Sequence, residues 1–600
     1  MTYQPPVREH LFLLREVLEI DKHANLPGFA DASLDVVEQI LDEAAKFTSE
    51  VLAPLNAVGD KEGCHWSADN TVTTPKGFKA AYKALVDGGW PALGAEPAFG
   101  GQGLPYVVNL AFSEMSSSAN MAFSMYPGLT HGAYSAILVG GSDEQKALYL
   151  PKLASGQWGG TMNLTEPQCG TDLGLLRTKA VPNGDGTYRI SGQKIWISGG
   201  EHDLTENIVH LVLARIEGAP AGTRGISLFI VPKFIPGADG TLGERNKVVC
   251  AGLEEKMGIH GNATCVMVHE EATGWLVGEE NRGLNLMFVM MNEARLGVGM
   301  QGLAQGEAAY QAAAAFAKDR LQGRSLTGPK NPDGPADPIL VHPDVRRMLM
   351  DARAVLEGGR AFLFWTALHG DLAHADPDEA VRQKALDYMG LMTPVLKGYL
   401  TDRGFNICSD AMQVHGGSGF TEHFPASQYL RDCRIALIYE GTNGVQALDL
   451  VGRKLAANGG RAVMSFFAEV DAFVEANSEE SNDKDAALKP FIEGLAAVKA
   501  QLQDGSFWLM QNGLANPDNA GAASTDYMHL FGLTGLAYMW AQMAKAAQAK
   551  IAAGDTDPFY ANKVVVGRYF LERMLPDAGA HLAKMKTGSA TLMALPAEAF

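Results

Sequence analysis

The chain has 600 residues, 46% of them hydrophobic and 20% charged, with a formal net charge of −19. Such a length exceeds one ordinary hydrophobic core, so several domains are expected. The acidic balance excludes non-specific nucleic-acid binding, which needs a basic face. No segment has the ~20 uninterrupted apolar residues of a membrane span. Because the N-terminus also lacks the pattern of a secretory signal, a cytoplasmic location is expected.

Six cysteines are scattered along the chain without any CxxC pair. This spacing is typical neither of a disulfide framework nor of a zinc site. The sequence therefore predicts no metal centre, and it predicts isolated thiols.

The first 160 residues have a helical pattern, with apolar residues three and four apart over Leu34–Leu52 and Pro75–Leu85. A glycine-rich loop, residues 88–105, follows the second of these segments. From about residue 161 the character changes, and short segments rich in β-branched residues predict a separate β domain. The predicted strands are Tyr188–Ser198, Ile208–Ile216, Gly225–Phe234 and Ala263–His269.

The helical pattern returns at about residue 281 and continues to the end of the chain. The predicted helices are Leu284–Met291, Gln301–Arg320, Val345–Leu368, Ala380–Cys408, Phe466–Ala476, Ala486–Leu502 and Ala520–Ala553. The fold class is therefore mainly α with a central β domain. The predicted division is 1–160, 161–280, 281–455 and 456–600, and the last block, which contains no catalytic motif, is interpreted as a packing or oligomerisation domain.

One segment, Gly297-Val-Gly-Met-Gln-Gly302, fits the GxGxxG pattern of dinucleotide-binding turns. That pattern needs a strand before it and a helix after it. The preceding residues 292–296 have a helical pattern instead. We therefore interpret these glycines as positions of close helix packing.

A polar loop and a strand form the first candidate ligand site. Residues 162–172 combine Thr165-Glu-Pro with Gly170-Thr-Asp, so they offer hydroxyls and backbone N–H groups to a planar polar ligand. On the strand Lys194–Ser198, alternation places Trp196 and Ser198 on one face, where they suit a stacked and hydrogen-bonded ring. The alternatives are a structural turn and a core tryptophan.

The second candidate site combines a cation with a glycine-rich loop. Arg320 follows a long Ala-rich helix and can bind a phosphate bidentately, although it could equally cap the helix. The loop Gln413–Gly419 lets backbone lie flat against a ligand. His415 within this loop is interpreted as a packing residue.

Glu440 is the third candidate. It lies in the apolar run Ile435–Tyr439 and directly precedes Gly441. An apolar setting raises the pKa of a carboxyl group, which makes it a more useful base. A surface glutamate ahead of a helix is the alternative.

Together these pieces resemble the acyl-CoA dehydrogenase family over residues 40–453. The resemblance rests on the order and spacing of several short motifs. They are Gly141-Ser-Asp-Glu-Gln-Lys146, the loop 164–172, Lys194-Ile-Trp-Ile-Ser198, Lys256-Met-Gly258, Gln413 with Gly416-Gly417, and Tyr439-Glu-Gly-Thr442. The resemblance implies an N-terminal helical domain, a barrel-like β domain and a C-terminal helical bundle, with an extra helical domain added at the end.

FAD is the cofactor that this resemblance implies. The residues that match the family's cofactor-binding positions are Leu164, Thr165, Trp196, Ser198, Arg320, Gln413, Gly417 and Thr442. The residues that match its acyl-CoA positions are Thr171, Asn292, Arg295, Tyr439 and Gly441. Some relatives place the base immediately before the arginine that Arg295 matches. Here that position is Ala294, which cannot accept a proton.

By the same resemblance Glu440 removes the α-proton of the thioester, and the β-hydride passes to flavin N5. The extra C-terminal domain is similar to that of a longer subgroup, which includes enzymes acting on 3-methylmercaptopropionyl-CoA in dimethylsulfoniopropionate breakdown. That thioester is the expected substrate, with electron-transferring flavoprotein as electron acceptor and a homodimer as assembly. The alternatives are a fatty acyl-CoA dehydrogenase, an acyl-CoA oxidase that uses O₂, and a non-catalytic scaffold with the same fold.

Overall fold

The computed structural model describes residues 3–478 and 487–600. They form two compact units. Residues 43–297 form the β unit, and residues 3–42 together with 298–600 form the helical unit. Among the described residues, no helix is both long enough and apolar enough to cross a bilayer.

The helices before the sheet occupy most of the segment predicted to be helical. They are α1 (Val7–Phe12), α2 (Leu34–Phe47), α3 (Ala53–Glu62), α4 (Phe78–Asp87), α5 (Tyr106–Ala119), α6 (Met121–Gly140) and α7 (Asp143–Ala154). A π-helical turn, Thr48–Leu52, continues α2, so the helix predicted over Leu34–Leu52 is confirmed. At the start of α7, Ser142 and Gln145 form a capping box. The motif at 141–146 is therefore a helix N-terminus.

The helices after the sheet are longer. They are α8 (Gly283–Asp319), α9 (Pro343–Ala375), α10 (Glu379–His415), α11 (Ala426–Arg434), α12 (Asn443–Asp449), α13 (Arg461–Ser478), α14 (Lys489–Ala515), α15 (Pro517–Ala552), α16 (Pro558–Arg573) and α17 (Asp577–Met585). Each helix predicted in this region is present, although Ala486, the predicted start of one of them, lies outside the described residues.

The strands confirm the predicted β domain. They are β1 (His65–Trp66), β2 (Val72–Thr73), β3 (Trp158–Asn163), β4 (Lys179–Pro182), β5 (Thr187–Ser198), β6 (Asn207–Ile216), β7 (Ser227–Pro232), β8 (Phe234–Pro236), β9 (Leu242–Arg245), β10 (Val248–Leu253) and β11 (Thr264–Val277). β11 continues well past His269, its predicted end. A register shift between Glu270 and Ala272 explains the misplaced boundary, because the bulge interrupts the alternation of apolar and polar residues.

The large sheet closes on itself. β11 pairs with β5, β5 with β4, β4 with β6, β6 with β7, and β7 again with β11. β10 pairs with β11 and β3 pairs in parallel with β6, and neither strand is part of this ring. A closed ring leaves no unpaired edge between its own strands. The predicted barrel-like domain is therefore confirmed.

A hydrophobic core anchors β3 to the helices of the same unit. Ile137 of α6, Leu150 of α7, Trp158 of β3 and Leu211 of β6 are all buried in one cluster. Burial of each such side chain stabilises the folded state by roughly 1.5–3 kcal/mol. Because β3 is fixed in this way, the polar loop that follows it starts from a rigid point.

In the helical unit, α15 is the central helix. It packs against α9, α10 and α12, and also against α14, α16 and α17. Tyr527, Phe531, Leu533 and Trp540 of α15 are completely buried. A helix that is apolar on all sides needs partners on all sides. The C-terminal helices therefore pack directly onto the helices of the preceding block.

The GxGxxG segment lies within an uninterrupted helix, since α8 runs through residues 297–302. A Cβ atom at Gly302 would lie 2.7 Å from Cα of Thr401 and 2.8 Å from the carbonyl oxygen of Leu400. A Cβ atom at Gly404 would lie 2.1 Å from the carbonyl oxygen of Gly302. The glycines therefore serve close packing of α8 on α10, as the sequence predicts, and they do not form a nucleotide-binding turn.

This packing gives a testable expectation. Gly302→Ala should lower the free energy of unfolding by about 1–3 kcal/mol, because the added methyl group meets backbone that cannot move aside. Gly297→Ala on the same helix is the matched control, since no atom lies within 4 Å of its Cβ position. The control should be neutral or stabilising by up to about 1 kcal/mol, from helix propensity. Thermal unfolding of both variants checks this, and equal effects would contradict the packing interpretation.

Candidate active site

A buried lysine holds the polar loop that follows β3. The Lys194 ammonium is inaccessible to solvent, and it donates hydrogen bonds to the carbonyl oxygen of Leu164 (3.0 Å) and to Oε1 of Glu166 (2.9 Å). The backbone N–H of Ile195 donates to the carbonyl oxygen of Thr165 at 2.9 Å. Three consecutive loop residues are thus tied to β5. Neither Lys194 nor Glu166 was predicted from the sequence to have a role.

Both oxygens of the Glu166 carboxylate accept hydrogen bonds. Besides Lys194, it accepts hydrogen bonds from the Thr178 hydroxyl (2.6 Å) and from the backbone N–H groups of Arg177 (2.7 Å) and Thr178 (3.0 Å). Burial by itself raises the pKa of Glu166, but the Lys194 charge and these hydrogen bonds lower it to about 2. Glu166 is therefore an ionised structural anchor, and it is unsuited to be a base at neutral pH.

Trp196 lies at a β-bulge that the sequence did not reveal. Lys194 pairs with Met267 and Ile197 pairs with Cys265, so two residues of β5 face one residue of β11. Trp196 adopts a left-handed φ of 61°, and its side chain is 60% exposed. Ile197 is buried and Ser198 is half-buried. The alternative of a core tryptophan is therefore wrong, and the indole offers an open aromatic face.

Three further predicted residues belong to the β unit. Thr171 is exposed at the end of the polar loop, and Asn292 is exposed and Arg295 half-buried on the first part of α8. The Glu293 carboxylate lies 3.9 Å from Nε2 of His131 on α6. Glu293 is thus directed at α6, in keeping with its position one residue before the alternative base position.

In the helical unit, the ends of α8 and α10 lie together. The Phe316 ring of α8 lies 4.6 Å from the His415 ring of α10, and both pack on Phe424. His415 also bonds the carbonyl oxygen of Ala411 through Nδ1 at 2.7 Å. Its interpretation as a packing residue is confirmed.

Arg320, Gln413 and Gly417 are exposed around this aromatic cluster. In the part of the chain that the structure describes, the Arg320 guanidinium makes no ion pair. No atom lies within 4 Å of the position of a Cβ on Gly417. A free cation beside an open glycine turn is an arrangement that can bind a phosphate.

The Glu440 backbone has an unusual conformation. Its φ is 57°, and that of Gly441 is 84°. A left-handed φ costs a residue other than glycine roughly 1–2 kcal/mol. Such strain persists only where surrounding contacts impose it, and it concentrates at functional sites. The glycine after Glu440 is therefore required by the backbone conformation itself.

Several side chains impose this conformation. The buried Gln446 amide donates to the carbonyl oxygens of Glu440 (3.0 Å) and Gly441 (3.3 Å). The Thr442 hydroxyl caps α12 by accepting from the N–H of Val445 at 3.3 Å. The Tyr439 hydroxyl donates to Oε1 of Gln301. Burial, followed by the neighbouring Glu440 charge, raises the pKa of Tyr439, so its phenol stays protonated.

The predicted residues thus fall into two groups. Leu164, Thr165, Thr171, Trp196, Ser198, Asn292 and Arg295 belong to the β unit, whereas Arg320, Gln413, Gly417, Tyr439, Glu440, Gly441 and Thr442 belong to the helical unit. The supporting roles of Lys194, Glu166, Gln301 and Gln446 were not predicted from the sequence. Lys194 and Glu166 lie within the motifs 194–198 and 164–172, and Gln446 lies one helical turn after Thr442.

Models of the acyl-CoA dehydrogenase N-terminal, middle and C-terminal domains match residues 35–157, 161–272 and 281–455, in this order. A model described as acetyl-CoA dehydrogenase C-terminal like matches residues 466–596. The chain is also 43% identical to the 3-methylmercaptopropionyl-CoA dehydrogenase of Ruegeria pomeroyi, with 99% of this chain and 100% of that protein covered.

The chain belongs to the acyl-CoA dehydrogenase family. The predictions of family, fold and enzyme class are therefore confirmed, and so is FAD as the cofactor of the family.

Two further proteins extend this likeness. The broad-specificity linear acyl-CoA dehydrogenase FadE5 of Mycobacterium tuberculosis is 35% identical over 96% of each chain. The structure of a Bacillus anthracis acyl-CoA dehydrogenase complexed with FAD matches with a TM-score of 0.73 and 22% identity. The match covers 92% of this chain and 88% of the B. anthracis chain. At this identity the last similarity concerns the fold.

Proposed function

We propose that this dehydrogenase oxidises 3-methylmercaptopropionyl-CoA to 3-methylthioacryloyl-CoA, with Glu440 as the base. The observation that carries the assignment of Glu440 is its left-handed backbone conformation, held by the buried Gln446 amide. The choice of thioester is supported by the similarity to the R. pomeroyi enzyme, which extends over the whole chain.

The chain's own residues fit an FAD molecule. The exposed Trp196 indole provides a face for ring stacking, with Ser198, Thr165 and the backbone of Leu164 as polar contacts. In this proposal Arg320, Gln413 and Gly417 bind the phosphates and adenosine of the FAD from the neighbouring subunit, and Thr442 also approaches an FAD. When bound, FAD supplies the two-electron acceptor for the β-hydride of the substrate.

Glu440 takes the α-proton of the thioester onto its carboxylate. The loss of this proton at Cα and of a hydride at Cβ creates the double bond of the product. Thr171, Asn292, Arg295, Tyr439 and Gly441 bind the acyl-CoA in this proposal. The Tyr439 phenol is protonated and engaged by Gln301, so it orients the loop without competing for the proton.

We also propose electron-transferring flavoprotein as the electron acceptor and dimethylsulfoniopropionate breakdown as the pathway. A homodimer and a cytoplasmic location remain predictions of the sequence.

Anaerobic bleaching of the flavin with a panel of CoA thioesters tests the substrate. We expect 3-methylmercaptopropionyl-CoA to give a higher ratio of limiting rate to half-saturating concentration than butyryl-CoA or palmitoyl-CoA. A higher ratio for either fatty acyl thioester would contradict this substrate and favour a fatty acyl-CoA dehydrogenase, as the likeness to FadE5 would then indicate. Fast reoxidation of the reduced flavin by air would instead indicate an oxidase.

A further inference from the structure

The C-terminal helices lie directly against the part of α10 that faces the Glu440 loop. A Cβ atom at Gly398 of α10 would lie 2.1 Å from Sδ of Met528 on α15. A Cβ atom at Gly532 of α15 would lie 2.5 Å from the Tyr399 ring. Glycines on both helices thus allow a very close approach. His529 lies on α15 between these two contacts.

His529 reaches Asp402 of α10 across this contact. Its Nε2 lies 2.9 Å from Oδ2 of Asp402, and both side chains are largely shielded from solvent. The His529 ring stacks on the His581 ring of α17 at 5.3 Å, and Nδ1 of His581 lies 2.7 Å from Oδ1 of Asp526. The orientation of His529 is therefore set by His581 of the C-terminal helices together with Tyr399 of α10, whose ring lies 5.6 Å from the His529 ring.

The second oxygen of Asp402 extends the contact to α12. Oδ1 of Asp402 accepts a hydrogen bond from the Asn443 amide at 2.7 Å, and the Lys397 ammonium donates to Oδ1 of Asn443 at 2.8 Å. The Asn443 amide also lies 2.9 Å from the Thr401 hydroxyl. Asn443 is the first residue of α12, and it is three residues after Glu440.

One turn further along α12, Gln446 reaches back to the Glu440 carbonyl oxygen, as described above. Hydrogen bonds therefore lead from His529 through Asp402 to Asn443, and α12 connects Asn443 to Gln446, which contacts the backbone of Glu440. A carboxylate bridging two donors is a strong, charge-assisted link. Loss of one donor leaves one oxygen of a largely shielded carboxylate without its partner.

We propose that His529 is a positioning residue for the reaction. It fixes Asp402 and through it Asn443, and these residues hold the start of α12, which follows Glu440 in the chain. The C-terminal helices thus help to hold the base in place. This inference rests on the proposed role of Glu440 as the base.

The test compares two variants of the full-length holoenzyme. His529→Phe keeps a planar ring on His581 but has no hydrogen-bond donor, whereas His529→Gln retains an amide that can donate to Asp402. Because small displacements of a reacting group are costly, His529→Phe should slow the limiting rate of anaerobic flavin bleaching about tenfold. FAD content and the half-saturating substrate concentration should stay within about twofold of the wild type. His529→Gln should restore most of the rate.

An Asn443→Ala background tests whether His529 affects the bleaching rate through Asn443. Since His529 acts through Asn443, His529→Phe should then lower the rate by much less than tenfold, a non-additivity that is typical of contacting residues. Should His529→Phe fail to fold, His529→Leu takes its place with the same expectation.

Lys499→Met is the matched control within the C-terminal helices. Lys499 is mostly buried and pairs with Asp471 at 2.7 Å, and that contact does not involve α10 or α12. Its bleaching rate should stay within about twofold of the wild type. A wild-type rate for His529→Phe, equal losses in His529→Phe and His529→Gln, or an equal loss in Lys499→Met would each overturn the inference. If Glu440→Gln kept its activity, the proposed function itself would fail instead.

Discussion

Glu440→Gln should leave FAD bound and slow anaerobic flavin bleaching by about 10⁴-fold, because an amide cannot accept the α-proton and general-base catalysis contributes up to about this factor. The side chains have the same shape, so the contacts of Gln446 with the loop backbone should remain. The measurement is stopped-flow bleaching with saturating 3-methylmercaptopropionyl-CoA, together with the flavin content of the purified variant. The loss should appear in the limiting rate rather than in the half-saturating concentration.

Glu293→Gln is the matched control for this experiment. Glu293 is the carboxylate beside the alternative base position, and it is directed at His131 in the β unit. Its replacement should leave the bleaching rate within about twofold of the wild type. Near-normal bleaching in Glu440→Gln, or a comparable loss in Glu293→Gln, would contradict the assignment of the base.

Lys194→Met should have the second-largest effect, on stability and on flavin retention. The substitution leaves the Glu166 carboxylate buried without its cation, which typically costs about 3–5 kcal/mol of unfolding free energy. It also removes the hydrogen bond to the Leu164 carbonyl oxygen, so the polar loop should loosen. Thermal unfolding and flavin content report the two consequences, and both should fall.

Two further variants test whether the unpaired Glu166 charge causes the loss of stability in Lys194→Met. The double variant Lys194→Met with Glu166→Gln has neither charge of this buried pair, so a substantial part of the stability should return. Lys83→Met removes the exposed ion pair with Asp87 in the same unit and should cost no more than about 1 kcal/mol. If the double variant were as unstable as the single one, the buried charge would not be the reason.

Much of the fold follows from local patterns. Apolar spacing predicted the helices of 34–52, 345–368 and 380–408, and β-branched runs separated by Gly and Pro predicted the main strands. The end of β11 was missed where a bulge at Glu271 interrupts the alternation, and the bulge at Trp196 was not predicted although the bounds of β5 were close. A bulge depends on pairing with another strand, so a single strand's sequence does not encode its position clearly.

Short motifs in the sequence identified the candidate residues. They did not identify the side chains that hold those residues in place. Glu440, Trp196 and Arg320 each lie in a segment that stands out by composition. Lys194 with Glu166 and Gln301 with Tyr439 are pairs formed between residues far apart in the sequence. Such contacts leave no periodicity behind, so they become visible only when the chain is folded.

By itself, the sequence determined the order of helical and β blocks and the resemblance to the family, and it led to the proposal of Glu440 rather than the alternative position, where Ala294 stands. These depend on residue identity at local spacing. Only the tertiary structure decided that Glu440 and Trp196 adopt left-handed conformations and that His529 of the C-terminal helices contacts Asp402 of α10. The physical reason is that backbone strain and bridging hydrogen bonds are properties of packed partners, which the neighbours of a residue along the chain do not specify.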